Sequence, residues 1–204
     1  MTYEYLLAGL PELKAGSDAP VSLDKLNELL DECLTESDKA LLDLLRAPID
    51  EQTLEHGLKA DNKFVRAWFG FNQDLNNVLV AQICRKHGFD PKQKIVGQGE
   101  VAEHLRTHNA QKDFGLGEVM DEYQEILALA QIEDLMAREK AIDAIRFEWL
   151  QARTEFDYFS AEMVFSYYLE AVMLHRWSLL TVEEGEKVFR ELVAEMKKGV
   201  HLDA

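Results

Sequence analysis

Three residues at helical spacing are the first that could do chemistry. Glu100, His104 and His108 follow one another at i, i+4, so on a helix one carboxylate and two imidazoles would face one way and could offer oxygen and nitrogen to zinc. The pair His104-Leu105-Arg106-Thr107-His108 lacks the glutamate of HExxH, and no ExxH pair marks a di-metal carboxylate bundle. A solvated polar helix is the simpler reading. A stand-alone helical enzyme or metal-binding protein using Glu100, His104 and His108 is the alternative. Just before them Gly97-Gln98-Gly99-Glu100-Val101-Ala102 spells GxGxxA, whose glycines would let a pyrophosphate approach a helix N-terminus. That site needs a buried strand directly in front, and Lys92-Gln93-Lys94-Ile95-Val96 is short and mostly charged, with no later strands to build a sheet. Cys33 and Cys84 lie far apart, without a CxxC pair or an adjacent histidine, and read as reduced core thiols. His175 follows Glu170 at a spacing of five, off the same helix face. With no GxxxxGK[ST], no GxSxG and no local Cys/His pair, no catalytic, cofactor-binding or metal-ligating residue is expected, nor a small-molecule substrate.

The elements that carry these residues are helices. Prolines occur only at 11, 20, 48 and 91, outside every good helical pattern, where they punctuate. Ser22 is placed to cap a helix bearing Leu23, Leu26, Leu29, Leu30 and Cys33 on one face, and a second begins near Thr35 with Leu41, Leu42 and Leu45. Asp50 is placed to cap a brief polar helix. Asn62 opens a long one with Phe64, Trp68, Phe71, Leu75, Val78, Leu79 and Ile83, which should stop at Arg85-Lys86-His87-Gly88, where cations suit the negative end of the dipole and glycine the left-handed cap. Helical patterns return over Met120 to Ala130, Ile132 to Arg153, Ala161 to Trp177 and Val182 to Lys198. Ser160 caps the third of these, with Phe159 and Val164 forming a staple, and Thr181 with Glu184 makes a capping box for the last. Period-two alternation is absent, so nothing larger than a stray strand near Tyr3 to Leu7 is expected. The reading is all-α, a helical bundle or two similar helical lobes: an N-terminal lobe over 1–96, an irregular glycine-containing connection over 97–117 and a C-terminal lobe over 118–204, or one domain if these pack together. A weak repeat at an offset of 94 residues, pairing Phe71, Leu75 and Val78 with Phe165, Leu169 and Val172, would suit two lobes, although any two amphipathic helices agree about as well.

Charge narrows the partners. With 22 Lys and Arg against 38 Asp and Glu, net charge −16, the chain repels phosphate backbones and anionic lipid over most of its surface. Its one basic concentration, Arg85, Lys86, His87, Lys92 and Lys94, lacks the interleaved aromatics of a single-strand groove. The N-terminus has Glu4 where a secretory signal carries positive charge, and no apolar stretch approaches the ~18 residues of a membrane span. A cytoplasmic protein is expected, with any membrane association made through a protein partner. Such a contact needs a patch of locally reversed charge with anchors to desolvate. Arg85, Lys86 and Lys94 at the long helix's end are one candidate partner site, and Arg176 beside Trp177 is the other. The aromatics crowded between Phe147 and Trp177 read mainly as core.

Several short stretches carry a further likeness: Tyr5-Leu6-Leu7-Ala8-Gly9-Leu10-Pro11, Arg66-Ala67-Trp68 with Asn77, Lys86-His87-Gly88-Phe89-Asp90-Pro91, Ile95-Val96-Gly97, Asp113-Phe114-Gly115-Leu116, and Phe156-Asp157-Tyr158-Phe159-Ser160 followed by Arg176-Trp177. In these the chain resembles an uncharacterised bacterial family whose genes sit within V/A-type ATPase operons. The resemblance implies similarity to the central-stalk subunit called C in bacterial and archaeal V/A-type ATPases and d in eukaryotes, a non-catalytic helical funnel seated on the membrane rotor ring. V/A-type ATPase subunits are then the implied partners. This chain is much shorter than the three-lobed subunit, so two lobes at most would fit.

Overall fold

Side-chain caps begin most of the helices. In the computed structural model, which describes residues 3–179, Ser22, Thr35, Asp50, Asn62 and Ser160 each accept the backbone N–H three residues on, satisfying a donor that the first helical turn leaves free. They start α2 (Leu23–Cys33), α3 (Glu36–Arg46), α4 (Glu51–Leu58), α5 (Lys63–Lys86) and α9 (Ala161–Ser178). Asp134 does the same for α8 (Leu135–Thr154), which therefore begins at Leu135 rather than Ile132. The remaining helices are α1 (Glu4–Ala8), α6 (Glu100–Thr107) and α7 (Tyr123–Leu129). The protein is all-α, with no strand among the described residues. Tyr3 to Leu7 is thus not a strand: Leu7 N–H bonds the Tyr3 carbonyl, and Tyr3 N–H bonds the Phe159 carbonyl at 2.8 Å, anchoring the turn of α1 beside the α8–α9 connection. The capping box at Thr181 and Glu184 and the helix expected over Val182 to Lys198 lie outside the described residues.

The core forms where α5, α8 and α9 meet. Trp149 of α8 stacks on Phe71 of α5 at a centroid distance of 5.0 Å and lies 5.7 Å from Trp68 and 6.1 Å from Phe64, while Phe64 reaches Phe165 of α9. Helices α4, α6 and α7 pack on α5, and α2 and α3 pack on α9. The buried apolar residues form one cluster running from Tyr3 to Leu174. Cys84 belongs to a buried face, whereas Cys33, expected in the core, is exposed at the last turn of α2, where Leu26 and Leu30 carry the packing.

The irregular connection expected over 97–117 is part of a longer stretch, residues 87–122 between α5 and α7, that side chains tie down. Irregular backbone lacks ladder partners, so its buried polar groups must find others. Asn77 of α5 pairs with both backbone groups of Val96, at 2.8 and 2.9 Å. Arg106 donates to the carbonyls of Ile95 and Gly97. Arg85 donates to those of Asn109, Gln111 and Lys112 while its guanidinium covers the ring of fully buried Phe114 at 3.5 Å. Within the stretch α6 buries Val101, Ala102 and Leu105.

Two glycines test the packing. A Cβ on Gly57 of α4 would sit 2.1 Å from the ring of Phe69, itself buried on α5, whereas one on Gly70 would meet nothing closer than Leu58 Cδ2 at 3.9 Å. Alanine favours a helix over glycine by about 1 kcal/mol, but overpacking costs about 1–3 kcal/mol. Urea unfolding should therefore show Gly70→Ala stabilised by up to about 1 kcal/mol and Gly57→Ala destabilised, opposite signs for the same chemical change.

Candidate functional site

A buried carboxylate sits where α8 faces α9. Asp143, 5% exposed, takes Arg146 Nη1 on Oδ1 at 3.3 Å, and on Oδ2 both Trp177 Nε1 at 2.9 Å and the Arg176 guanidinium. Arg146 turns its Nε to Asn72 Oδ1 at 2.9 Å, and fully buried Asn72 donates in turn to the Trp68 carbonyl at 2.9 Å. The polar chain thus runs from α9 through α8 to α5. Burial pulls the Arg146 guanidinium down from its usual range, and the charge and hydrogen bond of Asp143 oppose that pull. Both oxygens of Asp143 hold donors, so this arrangement neutralises a charge and registers three helices.

The expected partner-binding residues divide. Arg176 and Arg85 direct their guanidiniums at their own chain, to Asp143 and to three carbonyls respectively. Lys86 and Lys94 are exposed. The end of α5 and the turn after it leave Ile83 52% and Phe89 68% exposed beside Lys86, with Gly88 in the left-handed conformation at φ 73° bringing the chain round, while Val96, 55% exposed, is tied back to Asn77 inside α5. Exposed apolar side chains with a cation therefore end α5 on a strongly acidic molecule.

The three candidate metal ligands do not converge. His108 caps the end of α6, its N–H bonded to the His104 carbonyl at 2.8 Å, its Nδ1 within 2.8 Å of the Thr107 hydroxyl and its ring stacked on that of His104 at 4.7 Å. Glu100 is exposed at the opposite end of α6. Among the described residues no three His, Cys, Asp or Glu side chains are grouped to hold a metal ion. Gly97 takes φ 82°, and the space a Cβ would fill is occupied by the Gln73 side chain, so the glycine serves close packing on α5.

A second buried carboxyl lines a cavity. The seam between α8 and α9 is covered by the segment between α1 and α2: Ala15–Asp18 lie over a cavity of about 460 Å³ beside Asp143 and Trp177, and Leu7–Leu13 over another of about 420 Å³ beside Glu170. Tyr167 holds that cover by donating to the Pro11 carbonyl at 2.9 Å. Glu170, 7% exposed, accepts the Ser166 hydroxyl at 3.1 Å and has the Gln151 amide beside it. Burial raises its carboxyl from 4.5 to about 7, against the lowering pull of Ser166 and Gln151. Burial, with the nearby Glu170 charge, also pushes the Tyr167 phenol up to about 12.

The family described as "Protein of unknown function (DUF2764)" matches residues 51–200. The chain belongs to that family. No curated protein and no solved structure matches it. The DUF2764 match takes in α4 to α9, and so the Asp143 chain, the basic end of α5 and Glu170, while the cover over the α8–α9 seam precedes it. Sequence reasoning missed Asp143 and Glu170. For Glu170 a signal was present: between Met163 and Leu174 helix α9 is apolar nearly all round, the mark of a buried helix, so its single mid-helix carboxylate had to be buried too.

Glu170 sets a pH dependence. A carboxyl whose folded value is raised gives the native state more affinity for the proton than the unfolded chain has. Its contribution is therefore favourable below the unfolded value of 4.5 and is lost as pH rises through about 7. The full span is about 3 kcal/mol at 1.36 kcal/mol per unit. The stability difference between Glu170→Gln and wild type, from urea unfolding, should grow in favour of the variant by about 2–3 kcal/mol between about pH 5 and about pH 8.

Proposed function

We propose that the chain is a non-catalytic helical component of a V/A-type ATPase, an accessory or central-stalk protein that couples or assembles other subunits. The observation that carries this reading is the patch at the end of α5. Ile83 and Phe89 stand exposed there beside Lys86, with Lys94 and Val96 exposed in the segment that follows, on a molecule of net charge −16. Exposed apolar anchors beside charge opposite to that of the molecule as a whole favour docking on an acidic protein face. Lys86-His87-Gly88-Phe89-Asp90-Pro91, one of the features that carry the resemblance to the operon family, spans this end of α5. The closed donor set around Asp143 fits a mechanical part, because it stiffens the contact between long helices and leaves no carboxylate oxygen unengaged. No helix among the described residues is long and apolar enough to cross a membrane, so attachment to a rotor ring would run through protein contacts.

Tagged protein expressed in its native host and purified in mild detergent should bring down ATPase subunits, and purified alone it should show no ATPase activity. Phe89→Ala should weaken the association by upwards of about 2 kcal/mol with the melting temperature unchanged, because the ring is exposed. The double change Lys86→Glu with Lys94→Glu should slow association and reduce its salt dependence. A well-expressed preparation free of every ATPase subunit would refute the assignment.

A further inference from the structure

We propose that the cavity of about 420 Å³ between the Leu7–Leu13 segment and the α8–α9 seam is a binding site for a small organic ammonium ion with an apolar body. Its size is that of small-molecule sites, and such sites are mostly apolar with a few placed polar groups. Here Leu7, Leu10, Leu13 and Met163 supply the apolar wall, with Tyr158 and Phe159 contributing rings that attract cations by their faces. The charged groups that line it are all acids: Glu170 from α9, Glu155 from the end of α8 and Glu12 from the cover, the last with Lys14 nearby at 3.7 Å. Among the described residues no Lys, Arg or His lines the cavity.

Glu170 is the decisive group. It is more than nine-tenths buried, and its hydrogen-bond partners, Ser166 and Gln151, are neutral. A buried carboxylate with no cation against it is destabilising by desolvation, and an ammonium supplies the opposite charge. Among the described residues no cation meets this carboxylate, in contrast to Asp143, where Arg146 and Arg176 come from the chain itself. Other groups facing Glu170 are Ser166 and Tyr167 on its own helix and Gln151, Thr154 and Glu155 on α8, with Glu12 on the cover. Of these, the Tyr167 phenol is pushed up to about 12 by burial and the nearby Glu170 charge. Because the Glu170 carboxyl is raised to about 7, a bound ammonium displaces its proton to solvent, and affinity must rise with pH up to that point and level above it.

The inference stands apart from the ATPase reading and is tested on the isolated full chain. Hexylammonium, hexanol and hexanoate serve as probes, followed by methyl NMR at Leu7, Leu10, Leu13 and Met163. Hexylammonium should bind at about pH 8 at least about tenfold more tightly than hexanol, hexanoate should not bind, and the ammonium preference should shrink about tenfold per unit as pH falls below about 7. Glu170→Gln should bind hexylammonium no better than hexanol while retaining hexanol affinity, and Met163→Trp, which fills the cavity and leaves the carboxyl in place, should lose both. Equal affinity for hexanol and hexylammonium, an ammonium preference that survives Glu170→Gln, or no saturable binding of any probe at these methyls would overturn the assignment.

Discussion

The architecture depends on a charge held almost wholly out of water. Asp143 lies inside the contact between α8 and α9, where an unpaired carboxylate would be too costly to keep ionised. Arg146, Arg176 and Trp177 meet it from two helices, and Arg146 needs Asn72 on a third to satisfy its remaining edge. These bonds are directional, so they fix the register of α5, α8 and α9 in a way that apolar contact alone does not. The stacked rings of Phe71 and Trp149 lie beside this chain and use the same register. Arg176 is more exposed than Arg146, its side chain 44% accessible against 18%, so the pair at the surface contributes less than the buried one.

The same logic extends outward. Where the chain is irregular, between α5 and α7, side chains of the regular elements stand in for missing ladder partners: Asn77 at Val96, Arg106 at Ile95 and Gly97, Arg85 at Asn109, Gln111 and Lys112. Phe114 adopts a left-handed backbone at φ 56°, an uncommon conformation for a bulky residue. It is held there by complete burial beneath the Arg85 guanidinium. The long helix α5 therefore organises both the aromatic core on one side and the loop-rich layer on the other, and ends in exposed apolar side chains beside a cation.

Local signals made much of the fold legible. Ser22, Thr35, Asp50, Asn62 and Ser160 cap the helices their positions foretell, and Gly88 closes α5, because a cap needs only residues three or four apart. Tertiary placement was less visible. Cys33 reads as part of an apolar stripe with Leu26 and Leu30 yet faces solvent, since Leu26, Leu30 and Leu34 carry the packing of α2. The spacing of Glu100, His104 and His108 brings the two imidazoles together, but they stack on each other and, among the described residues, no third ligand joins them. Arg85 and Arg176 read as free cations in sequence, but their acceptors lie 24 or more residues away along the chain and no local pattern announces them. Asp143 was hidden for the same reason, two of its three donors, Arg176 and Trp177, being a helix away.

If Asp143 is the neutralised hub of a rigid frame and not a carboxylate reserved for chemistry, its stability signature is specific. Asp143→Ala leaves Arg146 buried without its counter-charge, and urea unfolding should show a loss of about 3–5 kcal/mol. Replacing both residues with apolar ones of similar size, Asp143→Leu with Arg146→Met, should recover most of that loss. An Asp143→Ala protein as stable as the wild type would contradict the account, because a carboxylate that can be removed without cost is not what holds α5, α8 and α9 in register.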